Sequence, residues 1–319
     1  MDDPRSKIIN EIDIASCRVT YSTEPVVLLF GGKVTPPKKD PDDEDTPILS
    51  LRDAIVRFHS NYEVYHPEKI DDWLYDGVYK HLVSFEKDLA SICSLLVVIS
   101  ESEGAIAELA LFSQVPEITN KMIVFSTSDH VNQASFISLG IYRYLKELKK
   151  KNKKKDKKKF PAVRSYPWEI NHISTLPDNV IENVLLDIQD KLDVLPDSAK
   201  FDVQNDTHLM VIIYELIVIF VALKEGEISN YVKSLGFDLR LDELKRKLFL
   251  MIKFQLIIKD DYGDTGFYIA GKNDFHRLTL SKRLDRMRIS MSCLDYYNEE
   301  RNERHRRELI KKHSDLPKE

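Results

Sequence analysis

Residues Leu95 to Ala110, Leu-Leu-Val-Val-Ile-Ser-Glu-Ser-Glu-Gly-Ala-Ile-Ala-Glu-Leu-Ala, constrain the fold more than any other stretch of this 319-residue sequence. Five successive apolar residues, Leu95 to Ile99, include three β-branched ones and suit a central parallel strand covered on both faces. Gly104 then lets the backbone turn closely past a ligand. Ala105, Leu109 and Phe112 recur at helical spacing, which predicts a helix carrying Glu108 in its first turn, where the helix dipole favours an ionised carboxylate. Such a carboxylate can attack an electrophilic carbon. In open α/β sheets ligands bind just outside the carboxyl ends of the strands, where this turn falls. On the local pattern alone, a Glu in a first turn is more often only a dipole partner.

Strands alternate with helices through the first half of the chain. Val26 to Phe30, Tyr62 to Tyr65, Leu95 to Ile99 and Lys121 to Phe125 read as strands; Ile48 to His59, Ile70 to Leu89 and Ser135 to Lys149 read as helices. That alternation predicts an α/β domain with a doubly wound parallel sheet over residues 25–148, after an N-terminal extension at 1–24. Lys33 to Pro47, rich in Pro, Asp and Lys, can bury little and is expected to be a mobile loop.

The run from Lys149 to Lys159 holds nine lysines in eleven residues and opens a linker with a connecting helix at 149–204. It reads either as a solvated linker or as a contact to nucleic-acid phosphate through Lys153, Lys154, Lys155, Lys157, Lys158 and Lys159. From Thr207 the pattern changes. Thr207 to Leu223, Glu227 to Leu235 ending at Gly236, and Leu241 to Phe254 read as three helices, followed by a hairpin turning at Tyr262 to Gly266. Three helices and a hairpin predict a smaller winged-helix-like α+β domain over 205–282. A DNA-reading version would present Arg240, Lys245, Arg246 and Lys247 from the third helix, although Asp238, Asp242 and Glu243 dilute that face. Residues 283–319 form a charged tail, expected to be mostly an exposed helix.

Charge is divided unequally. Residues 1–148 hold 14 Lys or Arg against 24 Asp or Glu, and residues 149–319 hold 33 against 28, so the halves carry −10 and +5. A basic second half favours phosphate-bearing partners. Three scattered cysteines, Cys17, Cys93 and Cys293, indicate neither a disulfide framework nor a zinc site, and no metal site is expected. The longest apolar run, Leu209 to Leu223, contains Glu215 and is too short to span a bilayer, and no signal peptide is recognisable. These features predict a reducing, cytoplasmic setting without a membrane partner.

The stretch around Gly104 and Glu108 resembles the nucleophile motif of the nucleoside 2-deoxyribosyltransferase-like family, in which a small or Gly-rich turn leads into Glu-Leu-Gly-x-Ala at the head of a helix. Val26 to Gly32 is similar to that family's first strand and glycine loop, and Tyr65-His66-Pro67-Glu68 to its second strand ending in Pro-Glu. Leu82 to Leu89 resembles the helix that carries a second active-site carboxylate. A closer resemblance is to the effectors encoded beside retron reverse transcriptases in bacterial anti-phage systems, which look like a deoxyribosyltransferase-like domain followed by a winged-helix-like one. It covers roughly residues 25–145 by motif, and the remainder by architecture.

The resemblance implies that Glu108 attacks an anomeric carbon, that Glu86 assists the departing base, and that Gly31, Gly32, Glu68, Ser102 and Gly104 line the substrate. Helical spacing alone does not choose Glu86 over Asp88. Ser102 stands six positions before Glu108, where the family has Asp, which points to altered substrate choice. No cofactor is implied. The implied substrate is a nucleoside, nucleotide or NAD-like molecule. The implied partners are the retron reverse transcriptase and its RNA-linked single-stranded DNA, with an oligomer or filament of that ribonucleoprotein also open. In a first reading the chain is a toxic N-glycosidase or glycosyltransferase restrained by that complex. In a second it is a non-catalytic nucleotide-sensing or scaffolding subunit. A third, a TIR-like or lysine-decarboxylase-like nucleotide hydrolase, also places a Glu after a glycine-containing turn.

Overall fold

A computed structural model describes residues 2–36, 46–59, 62–70, 77–151, 160–169, 176–280 and 284–314. Its elements, in chain order, begin with α1 (Pro4–Glu11), β1 (Arg18–Thr20), β2 (Val26–Phe30), α2 (Leu51–Phe58), β3 (Glu63–Tyr65), α3 (Leu82–Ile92) and β4 (Leu95–Ile99). Then come α4 (Glu103–Phe112), α5 (Pro116–Asn120), β5 (Met122–Thr127), α6 (Ser128–Asn132), a π-helix at Ile137–Tyr142, α7 (Arg143–Lys151), β6 (Val163–Tyr166) and α8 (Asp178–Asp193). The last are β7 (Ser198–Lys200), α9 (Asp206–Ile219), β8 (Ala222–Leu223), α10 (Glu225–Ser234), α11 (Leu241–Lys253), β9 (Ile257–Tyr262), β10 (Thr265–Ala270), β11 (Arg277–Thr279), α12 (Arg286–Glu299) and α13 (Arg304–Ser314). They form two compact units. A sheet unit comprises Thr23–Asp71 and Leu89–Leu195, and a helical unit Met1–Ser22, Asp72–Asp88 and Pro196–Glu319.

The sheet unit is α/β, with a parallel five-stranded sheet in the order β3-β2-β4-β5-β6. Alternate residues serve opposite faces. Val27, Leu29, Val97, Ile99, Ile123 and Phe125 pack on one face with Leu51 and Ile55 of α2 and with Val180, Val184 and Ile188 of α8. On the other face Phe30 meets Phe112 of α4, ring centroids 5.1 Å apart. Covered on both sides, all five residues of β4 are buried, as its unbroken apolar run requires. The sheet takes its fifth strand from Val163–Tyr166, beyond the lysine run, and α8 supplies a face through residues four apart. Sheet and cover therefore extend past residue 148. Of the expected loop at Lys33 to Pro47, residues 37–45 lie outside the described residues.

In the helical unit, β1 is the middle strand of an antiparallel sheet ordered β11-β1-β7, so the first residues belong to this unit's framework. The order α9, β8, α10, α11, β9, β10 carries a second antiparallel sheet, β8-β10-β9. Helix α9 is buried on nearly every side, which explains its apolar character all round. Among the described residues no helix is long and apolar enough to cross a membrane. At the end of α10, Gly236 takes φ +94°, its N–H donating to Lys233 O at 3.0 Å and that of Phe237 to Val232 O at 3.2 Å, a left-handed helix stop. Thr265 pairs with Tyr262, so the hairpin between β9 and β10 turns on Gly263 and Asp264 alone.

The tail forms two helices, α12 and α13, that are mostly exposed or half-buried but carry a buried stripe. Ile289, Cys293, Tyr297, Leu309 and even Arg306 are buried. The Arg306 guanidinium is neutralised on all sides: it donates to Glu303 at 2.8 Å, to Glu227 at 2.6 Å and to the Ala222 carbonyl. Arg5 of α1 joins it, with an ion pair to Glu227 at 2.8 Å. A charge-rich helix can thus carry a fully buried arginine when its charges pair inside the unit.

Glu215, on α9, is buried; its Oε2 accepts from Leu278 N at 3.3 Å and from Arg286, while Oε1 has no partner among the described residues. Burial raises its carboxyl to about 7, against the opposing pull of Arg286. The folded chain thus holds this proton up to about pH 7, whereas the unfolded chain releases it near 4.5. The Glu215 contribution to stability is fully present below pH 4.5 and falls as pH rises towards 7, by at most about 3 kcal/mol. Denaturation midpoints across that window should fall in the parent relative to Glu215→Gln, and parallel profiles would show that the carboxyl titrates normally.

Candidate functional site

The order of the sheet locates the site. In sequence, β2, β3, β4, β5 and β6 are the first to fifth strands, giving the spatial order 2-1-3-4-5. The connections leave in opposite directions between β2 and β4, and ligands of such sheets bind at the carboxyl ends of that strand pair. Gly31 and Gly32 follow β2 there, and Ser100, Glu101 and Ser102 follow β4.

Glu101 dominates this crevice. Its Oε1 accepts from the backbone N–H of Gly32 at 2.9 Å and of Arg52 at 3.0 Å, and its Oε2 from that of Leu51 at 2.9 Å. The last two are orphan N–H groups at the start of α2. Burial raises the Glu101 carboxyl above its ordinary range, and the three N–H donors oppose that rise. A Cβ on Gly31 would stand 2.9 Å from Glu101 Oε1, and one on Gly32 2.7 Å from Ser50 Cβ and 3.1 Å from the same oxygen. The glycine pair, expected to approach a ligand, makes room for a carboxylate of the chain itself.

Ser102 caps α4. Its Oγ accepts from Ala105 N at 3.2 Å and donates to Gly31 O at 3.0 Å, tying the ends of β2 and β4 together. Helix α4 starts at Glu103, so Glu108 is its sixth residue and lies in the second turn, not the first. Dipole support fades beyond the first turn and weakens that part of the sequence argument. Glu108 is half-buried, while Gly104 is exposed and a Cβ there would meet nothing within 4 Å among the described residues, whose packing therefore does not demand glycine at this position. Glu68 accepts both terminal nitrogens of Arg52, at 2.7 Å each. Burial would raise the Glu68 carboxyl, but Arg52 holds it below its usual range.

Further along the same edge, Ser128, Asp129, Pro167, Trp168, Glu169 and Pro177 line a cleft of about 290 Å³ beyond the ends of β5 and β6. Trp168 is buried, and its indole N–H has no partner among the described residues. Among the described residues no cluster of three or more His, Cys, Asp or Glu side chains could hold a metal ion.

The helical unit holds the other candidates. Glu86 and Asp88, on α3, are both buried. Asp88 accepts from Tyr79 Oη at 3.1 Å and pairs with Arg246 at 3.3 Å and Lys247 at 3.4 Å. Lys247 is buried and also pairs with Asp206 at 3.2 Å. Arg240 and Lys245 are exposed, Arg240 beside Asp242 at 3.2 Å and Lys245 beside Glu225 at 3.8 Å. Arg240, at the N-cap of α11, and Lys245, Arg246 and Lys247 within it thus all face acids of their own unit. Lys153, Lys154, Lys155, Lys157, Lys158 and Lys159 lie outside the described residues.

Sequence reasoning missed Glu101, and the available signal was an acid two residues after a wholly apolar strand, in a chain with a Gly-Gly pair at the end of another. The model of a family described as STM3845 retron effector protein matches residues 49–259. An Escherichia coli protein named "Retron Ec86 putative ribosyltransferase/DNA-binding protein" is 30% identical over 103 residues, 32% of this chain. That alignment spans about a third of the relative, 33% of its length.

Proposed function

This chain belongs to the STM3845 retron effector family, and from that premise we propose that it breaks or transfers an N-glycosidic bond through Glu108. The observation that carries this reading is a half-buried Glu on the helix directly after β4, at the carboxyl edge of a parallel sheet with the 2-1-3-4-5 order. A Glu108 oxygen attacks the anomeric carbon of a nucleoside, nucleotide or NAD-like molecule, and the carbon–nitrogen bond breaks. The base leaves with the electron pair and takes up a proton. Water or a second base then displaces the carboxylate from the sugar, restoring Glu108. The deoxyribosyltransferase-like resemblance and the name of the 30% identical relative support this chemistry.

In the cell the activity is that of a toxic effector, held back by the retron reverse transcriptase and its RNA-linked DNA until phage infection. Incubating the purified protein with a panel of nucleosides, nucleotides and NAD, and weighing released bases by mass spectrometry, tests the chemistry. One base should accumulate from one class of substrate. Release of none would favour a non-catalytic nucleotide-sensing or scaffolding subunit.

The element order from α9 to β10 supports a winged-helix-like reading of the helical unit, and the relative's name includes DNA binding. With Arg246 and Lys247 engaged by Asp88, the nucleic-acid contact falls to exposed Arg240 and Lys245 and to the lysine run. Replacing Lys153, Lys154, Lys155, Lys157, Lys158 and Lys159 with Gln should weaken binding to single-stranded DNA. It should also flatten the dependence of log affinity on log salt by as much as about 4, for six contacts of roughly 0.7 each. An unchanged slope would identify the run as a solvated linker.

A further inference from the structure

The start of α2 and the glycine loop after β2 together make the kind of position in which α/β proteins hold phosphate. Backbone N–H groups converge there, the positive end of a helix points in, and no side chain stands on either glycine. In this chain the position is taken. Gly32, Arg52 and Leu51 give their N–H groups to Glu101 at 2.9, 3.0 and 2.9 Å, and both missing Cβ atoms are accounted for by the space that Glu101, Ser50 and Arg52 fill. The neighbouring cation is committed as well, since Arg52 holds Glu68 through both terminal nitrogens.

We propose that Glu101 is a specificity-determining residue: its carboxylate stands where a phosphate would sit, so the crevice between β2 and β4 turns phosphate away from Gly31 and Gly32 and receives the uncharged, hydroxyl-bearing part of a nucleoside there. The substrate class named here rests on the proposed glycosidic chemistry, but the exclusion of phosphate does not. An arriving phosphate would find these N–H groups already used and a negative charge in their midst. A sugar hydroxyl brings no charge, and Oε2, which among the described residues accepts only from Leu51, keeps capacity for a further donor.

Inorganic phosphate is the probe, because it reports on the position without any turnover. In the parent protein, the amide resonances of Gly32, Leu51 and Arg52 should stay in place as phosphate is added at constant ionic strength. Glu101→Ala vacates the position. Its melting temperature should therefore be lower than the parent's and should rise by several degrees in phosphate relative to chloride, while the parent's does not. Glu101→Gln refills the space without charge and should show no phosphate-specific rise. Movement of the three amides in the parent would overturn the proposal even if the Ala variant failed to fold. So would a folded Ala variant that gains no more from phosphate than the parent. A protein that releases no base from any substrate would still pass or fail these measurements, so the two readings are separately testable.

Discussion

Glu108→Gln should release base at a rate lower than the parent's by on the order of 10⁴-fold or more, with its melting curve nearly unchanged. Gln keeps the length, the shape and most of the hydrogen bonding of the side chain, and the position is only half-buried, so the fold has little reason to notice. What disappears is the anion. A neutral amide oxygen is a poor nucleophile toward an anomeric carbon, and no other step can proceed until the carbon–nitrogen bond is broken. The same variant should be tolerated by cells that lack the reverse transcriptase, in which the parent arrests growth. If both proteins arrest growth equally, toxicity does not pass through Glu108, and a binding function is the better account.

The largest loss of stability is expected from Arg306→Ala. Its side chain is fully buried, at 0% exposure, and supports Glu227, Glu303 and the Ala222 carbonyl at once, with its guanidinium 4.8 Å from the Tyr297 ring centroid. Truncation leaves the shared acid Glu227 with Arg5 as its one remaining ion-pair partner among the described residues, and leaves Ala222 O without its donor. Breaking a buried pair from one side costs about 3 to 5 kcal/mol, a large share of the stability of an ordinary domain. Urea denaturation should show the shift, and Arg306→Lys should recover little, because an ammonium cannot reproduce the planar fork that reaches three acceptors in three directions. A loss below about 1 kcal/mol would mean that the cluster behaves like a surface ion pair.

What could be read from the sequence was what local pattern dictates. Leu95 to Ile99 forms a strand with those bounds, Gly236 stops a helix, and the hairpin turns at Gly263 because each is decided by neighbours in the chain. The parallel five-stranded sheet was legible only to its fourth strand. Val163–Tyr166 is short, half polar and placed after nine lysines, so its membership depends on the exposed edge that β5 offers it. The site shows the same limit. Glu101 takes its meaning from Gly32 and from Leu51, 69 and 50 residues away, and no periodicity announces such a meeting. Arg306 carried the opposite signal, since a run of charges usually means solvent, while its partner Glu227 lies 79 residues earlier.

The middle strand of the β11-β1-β7 sheet is Arg18–Thr20, and its two neighbours are Ser198–Lys200 and Arg277–Thr279. During synthesis that strand is made before either neighbour, and it finds no edge to pair with until Ser198–Lys200 has followed it, with Arg277–Thr279 later still. Meanwhile the sheet unit has every one of its strands available by residue 166. The order of birth is therefore inverted for the helical unit: its opening segment must wait, unpaired, through the making of another unit. A chain cut short before residue 198 would keep all the strands of the parallel sheet and leave its own beginning without a place to fold.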